Sequence, residues 1–173
     1  GRLCDSATLC LSKGLGCPMG SILVGSKEVI FHARRARKIF GGALRQAGIV
    51  AAACVYALDN HLDRLKLDHD NAQFFAREIS TIPGVIINPA SVETNLVYFE
   101  IDPSVATADQ IAQTLARRKV MIIPLGPQRL RACTHLDVNR EVLQRAADAL
   151  REVMTTRAFS TECVAPVSAY SSR

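Results

Sequence analysis

The sequence of 173 residues predicts an α/β fold for residues 1–65 and a compact α+β domain for residues 66–154, with a flexible tail over residues 155–173. Two observations predict this class. Short apolar runs bounded by glycine and proline are typical of strands, and they alternate with longer stretches that carry apolar residues at helical spacing. The last stretch is rich in Ser and Thr and has no periodicity, which indicates a loose segment.

The first part begins as strand, glycine-rich loop and strand. The segment SKGLGCPMG at 12–20 separates two apolar runs, and Ser26 is a suitable N-cap for the helix that follows. The predicted elements are strands at 7–11 and 21–24, a helix at 27–40 ended by two glycines, and a long, buried helix of small residues at 44–65. Because such apolar strands normally lie inside a larger sheet, we expect further strands upstream of residue 1.

The second part mixes short strands and amphipathic helices. Thr107 or Asp109 is expected to open one helix, and Asn139 is expected to cap the last one. The predicted elements are a helix at 68–80, strands at 85–87 and 95–101, a helix to about 118, strands at 120–123 and 130–133, and a helix from 140 to 154. This order predicts the compact α+β domain.

Composition and charge limit the classes of function. The net charge of +5 is carried largely by a basic cluster in the first part. The members of this cluster are Arg34, Arg35, Arg37, Lys38 and Arg45. Clustered cations favour nucleic-acid binding, but aromatic residues make up only 5% of the chain, Trp is absent, and basic and aromatic residues do not interleave. We therefore expect no nucleic-acid partner, and this class remains the lesser alternative.

Hydropathy and cysteine usage favour a cytoplasmic protein. No stretch approaches the roughly 20 apolar residues that a membrane helix requires, so no membrane partner is expected. The six cysteines are scattered without a C-x-x-C pair, which favours reduced thiols that serve in packing.

Lys13 stands at the predicted end of a strand, in a loop whose glycines permit tight turns and close approach of a ligand. A neutral lysine amine attacks aldehydes to form an imine, and desolvation or neighbouring cations favour the neutral form. The ordinary alternative for a lysine beside glycine is an exposed loop residue. A phosphate-binding P-loop is excluded, because the glycines follow the lysine instead of preceding it.

The histidines do not predict a metal site. His135 and Asp137 lie in a turn before the last helix, where a structural role is more common than acid–base catalysis. His61 and His69 lie on predicted helices and are expected to face solvent. No second ligand recurs at a metal-binding spacing, so no metal is predicted.

Several motifs stand in a fixed order along the chain. They are SKGLG at 12–16 followed by Pro18 and GS at 20–21, RK at 37–38, GGALRQAG at 41–48, and RACTHLDV at 131–138. In this order they resemble the low-specificity threonine aldolase family, over about 5–154. The resemblance implies pyridoxal 5'-phosphate as cofactor and an aspartate-aminotransferase-like fold. Residues 1–65 would be the end of the large cofactor-binding domain and 66–154 the small C-terminal domain, with the N-terminal half of the large domain absent.

The resemblance also implies roles for individual residues. Lys13 matches the lysine that holds pyridoxal phosphate through an imine, with Ser12 beside it in the cofactor site. Arg45 matches an arginine that reaches the cofactor phosphate from the adjacent subunit, and Lys38 matches a second cation near the active site. Arg131 matches the arginine that holds the substrate α-carboxylate, for which a guanidinium fork is well suited.

Each of these assignments has an alternative. Lys38 is otherwise a residue of a solvated helix face and Arg45 a surface residue. Arg131 could instead form a salt bridge with Asp137, and Arg129 is close enough in sequence to be the carboxylate-binding arginine. The motif around Asn95 also matches the family, and we expect it to shape the entry to a strand.

The activity implied is cleavage of L-threonine or L-allo-threonine, a small β-hydroxy amino acid substrate, to glycine and acetaldehyde, in a homodimer or homotetramer. In the family, the acid that pairs with the pyridine nitrogen, the ring stacked on the cofactor and the catalytic base precede the lysine. Only twelve residues precede Lys13, so these residues alone are expected to be inactive. A truncated non-catalytic relative and a basic nucleic-acid-binding protein remain the alternatives.

Overall fold

The structure, a computed structural model, describes residues 2–157 and 159, and the chain divides into two units, Gly1–Leu65 and Lys66–Arg173. Apart from residues 155–157 and 159, the predicted tail lies outside the described residues. Thr155 and Thr156 belong to the last helix, which therefore ends two residues later than the sequence predicts. Within the described residues, no helix is long and apolar enough to cross a membrane.

The first unit opens with an antiparallel pair of strands, β1 (Ser6–Cys10) and β2 (Ser21–Gly25), in the predicted order. Every residue of both strands is exposed. Helix α1 (Lys27–Ile39) follows, and the Ser26 hydroxyl accepts from the Val29 amide at 3.2 Å, which confirms the predicted N-cap. No residue of α1 is buried in this unit.

The second helix of this unit, α2 (Ala47–Asn60), differs from the prediction of a long, buried helix over 44–65. It starts at residue 47, behind a Gln46 that makes no side-chain cap, and only Cys54 and Ala57 are buried. Small apolar residues have high helix propensity, but propensity does not decide what covers a helix. The prediction of a helix was right, and its length and burial were wrong.

The second unit packs helices on one face of a four-stranded antiparallel sheet, in the order β3-β4-β6-β5. The strands are β3 (Val85–Ile86), β4 (Leu96–Ile101), β5 (Ile123–Pro124) and β6 (Arg129–Cys133), and the helices are α3 (Leu65–Ser80, whose first residue closes the first unit), α4 (Ala108–Arg117), α5 (Arg140–Thr156) and a 3-10 turn at Pro89–Ser91. The core includes Phe75 of α3, Phe99 of β4, Leu115 of α4 and Leu150 of α5, each at most 2% exposed.

Local capping signals in the second unit are confirmed. The Thr107 hydroxyl and the Gln110 side chain form a reciprocal capping box at the start of α4, which selects Thr107 over Asp109. The Asn139 side chain accepts from the Val142 amide at 2.9 Å at the start of α5.

The predicted strand at 120–123 is wrong for most of its length, since only Ile123 and Pro124 pair with β6. The amide of Val120 donates to the carbonyl of Leu115 at 3.0 Å, so the chain is still bonded to the end of α4 there. Lys119, with φ 63°, makes the turn that leaves the helix.

Replacement of Gly84 by Ala tests the packing of the turn before β3 against Met154 of α5 and against Val105. Gly84 has φ +85°, and an added Cβ would lie 2.8 Å from Cε of Met154 and 3.2 Å from Cγ2 of Val105. We expect Gly84→Ala to lower the free energy of unfolding by about 1–3 kcal/mol, through backbone strain and overpacking. Urea denaturation measures the change. Gly126→Ala is the control, because no atom lies within 4 Å of its added Cβ, and equal stability of the two variants would contradict the argument.

Candidate functional site

Lys13 lies in the loop that joins β1 to β2, between two buried leucines. Leu11 and Leu15 expose 2% and 5% of their surface, whereas Lys13 is exposed. The Gly16 amide donates to the Lys13 carbonyl at 2.8 Å, which closes a tight turn, and the Leu11 amide donates to the Gly20 carbonyl at 3.0 Å, which extends the ladder of the hairpin. The backbone is therefore fixed on both sides of Lys13 while its amine stays accessible.

His61, which follows α2, holds this loop from the helix side. Its Nδ1 lies 2.7 Å from the carbonyl oxygen of Leu15, so the neutral tautomer that carries Nδ1–H donates there. Its ring packs edge-on against Tyr56, with the centroids 5.6 Å apart. The prediction that His61 faces solvent is wrong. The bond joins residues 46 positions apart, which no local sequence pattern records.

Two buried thiols pack the loop against α2. The Cys17 thiol lies 3.8 Å from the carbonyl oxygen of Ala53, and the Cys54 thiol lies 4.0 Å from that of Met19. Burial, with a hydrogen bond to Cys54, raises the pKa of Cys17, so this thiol stays protonated. Both cysteines are unpaired thiols that fill space.

The Ser12 hydroxyl is exposed and lies 3.4 Å from the sulfur of Cys10. This hydrogen bond lowers the pKa of the Cys10 thiol, burial opposes the shift, and the charge of Lys13 lowers the pKa further. Ser12 and Lys13 therefore present a hydroxyl and an amine from adjacent positions of the loop.

Lys38 and Arg45 are exposed residues of the same unit. Lys38 lies in the last turn of α1, and Arg45 lies in the turn before α2. Within residues 2–65, neither side chain forms a hydrogen bond or ion pair with the Lys13 loop. The structure thus places Ser12 and Lys13 side by side in the loop and leaves the two predicted cations of the cofactor site, Lys38 and Arg45, as accessible charges.

In the second unit, Arg131 lies in β6 on the sheet face opposite the core. It pairs in register with Tyr98 of β4 and with Ile123 of β5. The side chain is half-buried, and its Nε is a buried donor with no hydrogen-bond partner among the described residues. A buried donor of this kind costs free energy until an acceptor reaches it.

The alternatives to Arg131 do not match this geometry. The Arg129 guanidinium is exposed and lies over the Tyr98 ring, 5.1 Å from its centroid. Oδ2 of Asp137 lies 3.6 Å from Nδ1 of His135, and the backbone amide of Asp137 donates to the same Nδ1 at 3.4 Å. The turn residues therefore interact with each other, as the structural reading of His135 and Asp137 predicts.

A buried hydrogen-bond network fixes the end of β6. The Asn95 side-chain amide donates to the Thr134 carbonyl at 2.9 Å, and the Thr134 hydroxyl donates to the carbonyl of Asp68 at 2.6 Å. Thr134 is 1% exposed. Asn95 thus stands at the entry to β4, as predicted, and it ties β4, β6 and α3 together. Across the described residues, no group of three His, Cys, Asp or Glu side chains is arranged to hold a metal.

A family model described as beta-eliminating lyase matches residues 1–102, which is more than half of the chain. The chain belongs to the beta-eliminating lyase family. The predicted resemblance to threonine aldolases is confirmed by the sequences of curated relatives. The low specificity L-threonine aldolase of Escherichia coli K12 is 42% identical over 146 residues, and the low-specificity L-threonine aldolase 1 of Arabidopsis thaliana is 33% identical over 156 residues.

These relatives are much longer than the matched region. The match covers 84% of this chain and 42% of the Escherichia coli protein, and 90% of this chain and 44% of the Arabidopsis protein. The chain is therefore a homologue of low-specificity L-threonine aldolases that spans less than half of the length of these family members.

Solved structures show the same α/β fold. A putative aromatic amino acid beta-eliminating lyase/threonine aldolase from Exiguobacterium superposes with a TM-score of 0.68 at 21% identity, over 87% of this chain and 45% of that chain. A putative L-allo-threonine aldolase from Listeria monocytogenes gives the same TM-score at 17% identity, with the same coverage. The fold of this family member thus matches part of the fold of each of these proteins.

Replacement of His61 by Phe tests whether the hydrogen bond from His61 to Leu15 stabilises the Lys13 loop. Phenylalanine keeps a ring beside Tyr56 but removes the donor to Leu15. We therefore expect the free energy of local opening of the loop to fall by about 1 kcal/mol. Hydrogen exchange at the Gly16 and Cys17 amides, which bond within the loop, measures the opening. The control is His32→Phe, an exposed site on α1. Unchanged exchange rates of these two amides in the His61 variant would show that the hydrogen bond does not stabilise the loop.

Proposed function

We propose that the intact protein is a pyridoxal-phosphate-dependent threonine aldolase that cleaves L-threonine or L-allo-threonine to glycine and acetaldehyde, with Lys13 holding the cofactor. Family membership supports this proposal. The observation that carries it is the loop after β1, in which backbone hydrogen bonds and two buried leucines fix the chain around an accessible Lys13 amine.

The side chains present fit the chemical groups of the cofactor. The Lys13 amine is a nucleophile for its aldehyde, and the adjacent Ser12 hydroxyl is a hydrogen-bond partner for a phosphate. Arg45 and Lys38 are accessible cations, of which Arg45 offers the planar fork that phosphate binds best. We propose that Arg45 contributes to the cofactor site of an adjacent subunit in a homodimer or homotetramer.

Arg131 is proposed to bind the substrate carboxylate. Its Nε is a buried donor that meets no acceptor in residues 2–157 and 159, and a carboxylate that bridges Nε and one terminal nitrogen would satisfy it. Because β6 pairs on both sides, its guanidinium lies on a rigid element, and a rigid fork orients the amino acid that it binds. Arg129, which stacks on Tyr98, is the less suitable candidate.

When bound, the cofactor supplies an electron sink for the pair released as the Cα–Cβ bond breaks. The residues of this chain position the reactants. Lys13 would hold the cofactor through its aldehyde, and Arg131 would fix the substrate carboxylate, which would limit rotation about Cα. A base that takes the proton of the β-hydroxyl, an acid at the pyridine nitrogen and a stacking ring complete the site. We propose that these three groups belong to parts of the family fold outside the region that this chain matches, which is less than half of the length of the relatives.

Chemical trapping tests the role of Lys13. The chain contains five lysines, Lys13, Lys27, Lys38, Lys66 and Lys119. We expect incubation with pyridoxal phosphate followed by borohydride reduction to label Lys13 several-fold more than the other four, because only Lys13 lies in the fixed loop. Digestion and mass spectrometry measure labelling at each lysine.

The matched variants are Lys13→Ala and Lys27→Ala. The first is expected to lose most of the label together with the long-wavelength absorbance of bound cofactor, and the second is expected to keep both. Even labelling across the five lysines would contradict the proposed role of Lys13 and favour a non-catalytic relative.

Titration with glycine tests the role of Arg131. We expect its Nε–H resonance in a ¹H–¹⁵N spectrum to shift as the carboxylate binds, with a Kd on the order of 1 mM for so small a ligand. Arg129 is the internal control, since its guanidinium already contacts Tyr98. Glycinamide lacks the carboxylate and should shift neither resonance. A shift confined to Arg129 would reverse the assignment.

Acetaldehyde release tests whether these 173 residues act alone. We expect no release from L-threonine above that of a Lys13→Ala control, because the base and the acid lie elsewhere in the proposed enzyme. An alcohol dehydrogenase assay that consumes acetaldehyde measures the rate. Turnover that disappears in Lys13→Ala would show that these 173 residues contain a complete site.

A further inference from the structure

A cavity of about 560 Å³ lies on the helix side of the sheet in the second unit. Its floor is apolar and is made by side chains of α3, α5, β6 and the segment after α4. These include Phe75, Ile122, Ala132, Val142, Leu143 and Ala146. Ala132 packs against the core, whereas Arg131, its neighbour in β6, faces the other side of the sheet. The cavity is therefore separate from the face that carries the proposed substrate-binding arginine.

The polar side of this cavity is cationic. Arg118, Lys119 and Arg145 supply its positive charge, and no Asp or Glu lines it. The His135 ring also lines the cavity, and its Nδ1 lies 3.6 Å from Oδ2 of Asp137. Two hydrogen bonds from Arg118 to Glu152 offset the charge of Arg118. Among the described residues, neither Lys119 nor Arg145 has an ion-pair partner. The cavity thus combines an apolar floor with two uncompensated cations, and charge complementarity favours an anionic occupant.

Lys119 occupies a backbone position that disfavours lysine. Its φ of 63° is the left-handed conformation that ends many helices, and glycine is the usual residue there. The Lys119 amide donates to Ala116 and the Val120 amide to Leu115, so the neighbouring bonds hold the strained turn in place. A strained residue that supplies one of two unpaired cations to a cavity is a candidate for a ligand contact.

We propose that this cavity binds a linear organic carboxylate of medium chain length, with the carboxylate at Lys119 and Arg145 and the chain on the apolar floor. The volume lies within the range of small-ligand sites, and an apolar lining with a few polar groups is typical of them. The site is additional to the proposed aldolase chemistry and does not depend on Lys13 or on Arg131.

Octanoate is the probe. Titration of the 173-residue chain, followed by ¹H–¹⁵N shifts of the amides of Lys119, Val142 and Ala146, is expected to show saturable binding at one site. The uncharged analogue 1-octanol is expected to bind about tenfold more weakly, because it lacks the charge that the two cations recognise. Equal affinity for the two probes, or no saturable shift with octanoate, would overturn the proposal.

Lys119→Gly and Arg145→Met separate binding from folding. Glycine removes a cation and also relieves the left-handed strain, so Lys119→Gly is expected to melt at the same or a higher temperature while it binds octanoate about tenfold more weakly. Arg77→Met removes an exposed cation that does not line the cavity and is expected to bind like the parent chain. Unchanged octanoate affinity when both cavity cations are replaced would show that they do not form the site.

Discussion

The alternation of side chains along β4 and β6 is the constraint on which the second unit depends. Antiparallel pairing sets Phe99 opposite Leu130 and Tyr98 opposite Arg131. The first pair is buried in the core, and the second lies on the opposite face. A shift of β6 by one residue would bury a guanidinium among apolar side chains and expose Leu130, which costs several kcal/mol. The register that fills the core therefore also decides which face of the sheet can bind a carboxylate.

Much of the fold could be predicted wherever the signal was local. The helix caps at Ser26, Thr107 and Asn139 are examples, since each depends on a side-chain oxygen and an amide three residues later. Strands β4 and β6 were also predicted, at 95–101 and 130–133. For the candidate site, Lys13 and Arg131 were predicted from spaced motifs, because a lysine beside glycines carries little information by itself, and their roles stay predictions.

The features that could not be predicted depend on contacts between distant residues. The length and burial of α2 follow from what covers it, which small apolar side chains do not specify. The bond from His61 to the Leu15 carbonyl spans 46 positions, and the chain after α4 bonds back to Leu115 instead of joining the sheet. The unpaired Nε of Arg131 is a property of its packing. The sequence shows that an arginine donor is present at position 131, but it does not predict whether a hydrogen-bond acceptor lies within reach of that donor.

The first unit fixes the Lys13 loop with little burial of its own. Among the described residues, its buried cluster contains Leu11, Leu15, Cys17, Cys54 and Ala57, against 22 buried residues in the core of the second unit. Phe31, Ile39 and Phe40 meanwhile expose 73%, 68% and 87% of their surface. The hydrogen bonds of the loop can position the amine, and the exposed apolar side chains agree with the expectation of a larger sheet and with our proposal of a second subunit.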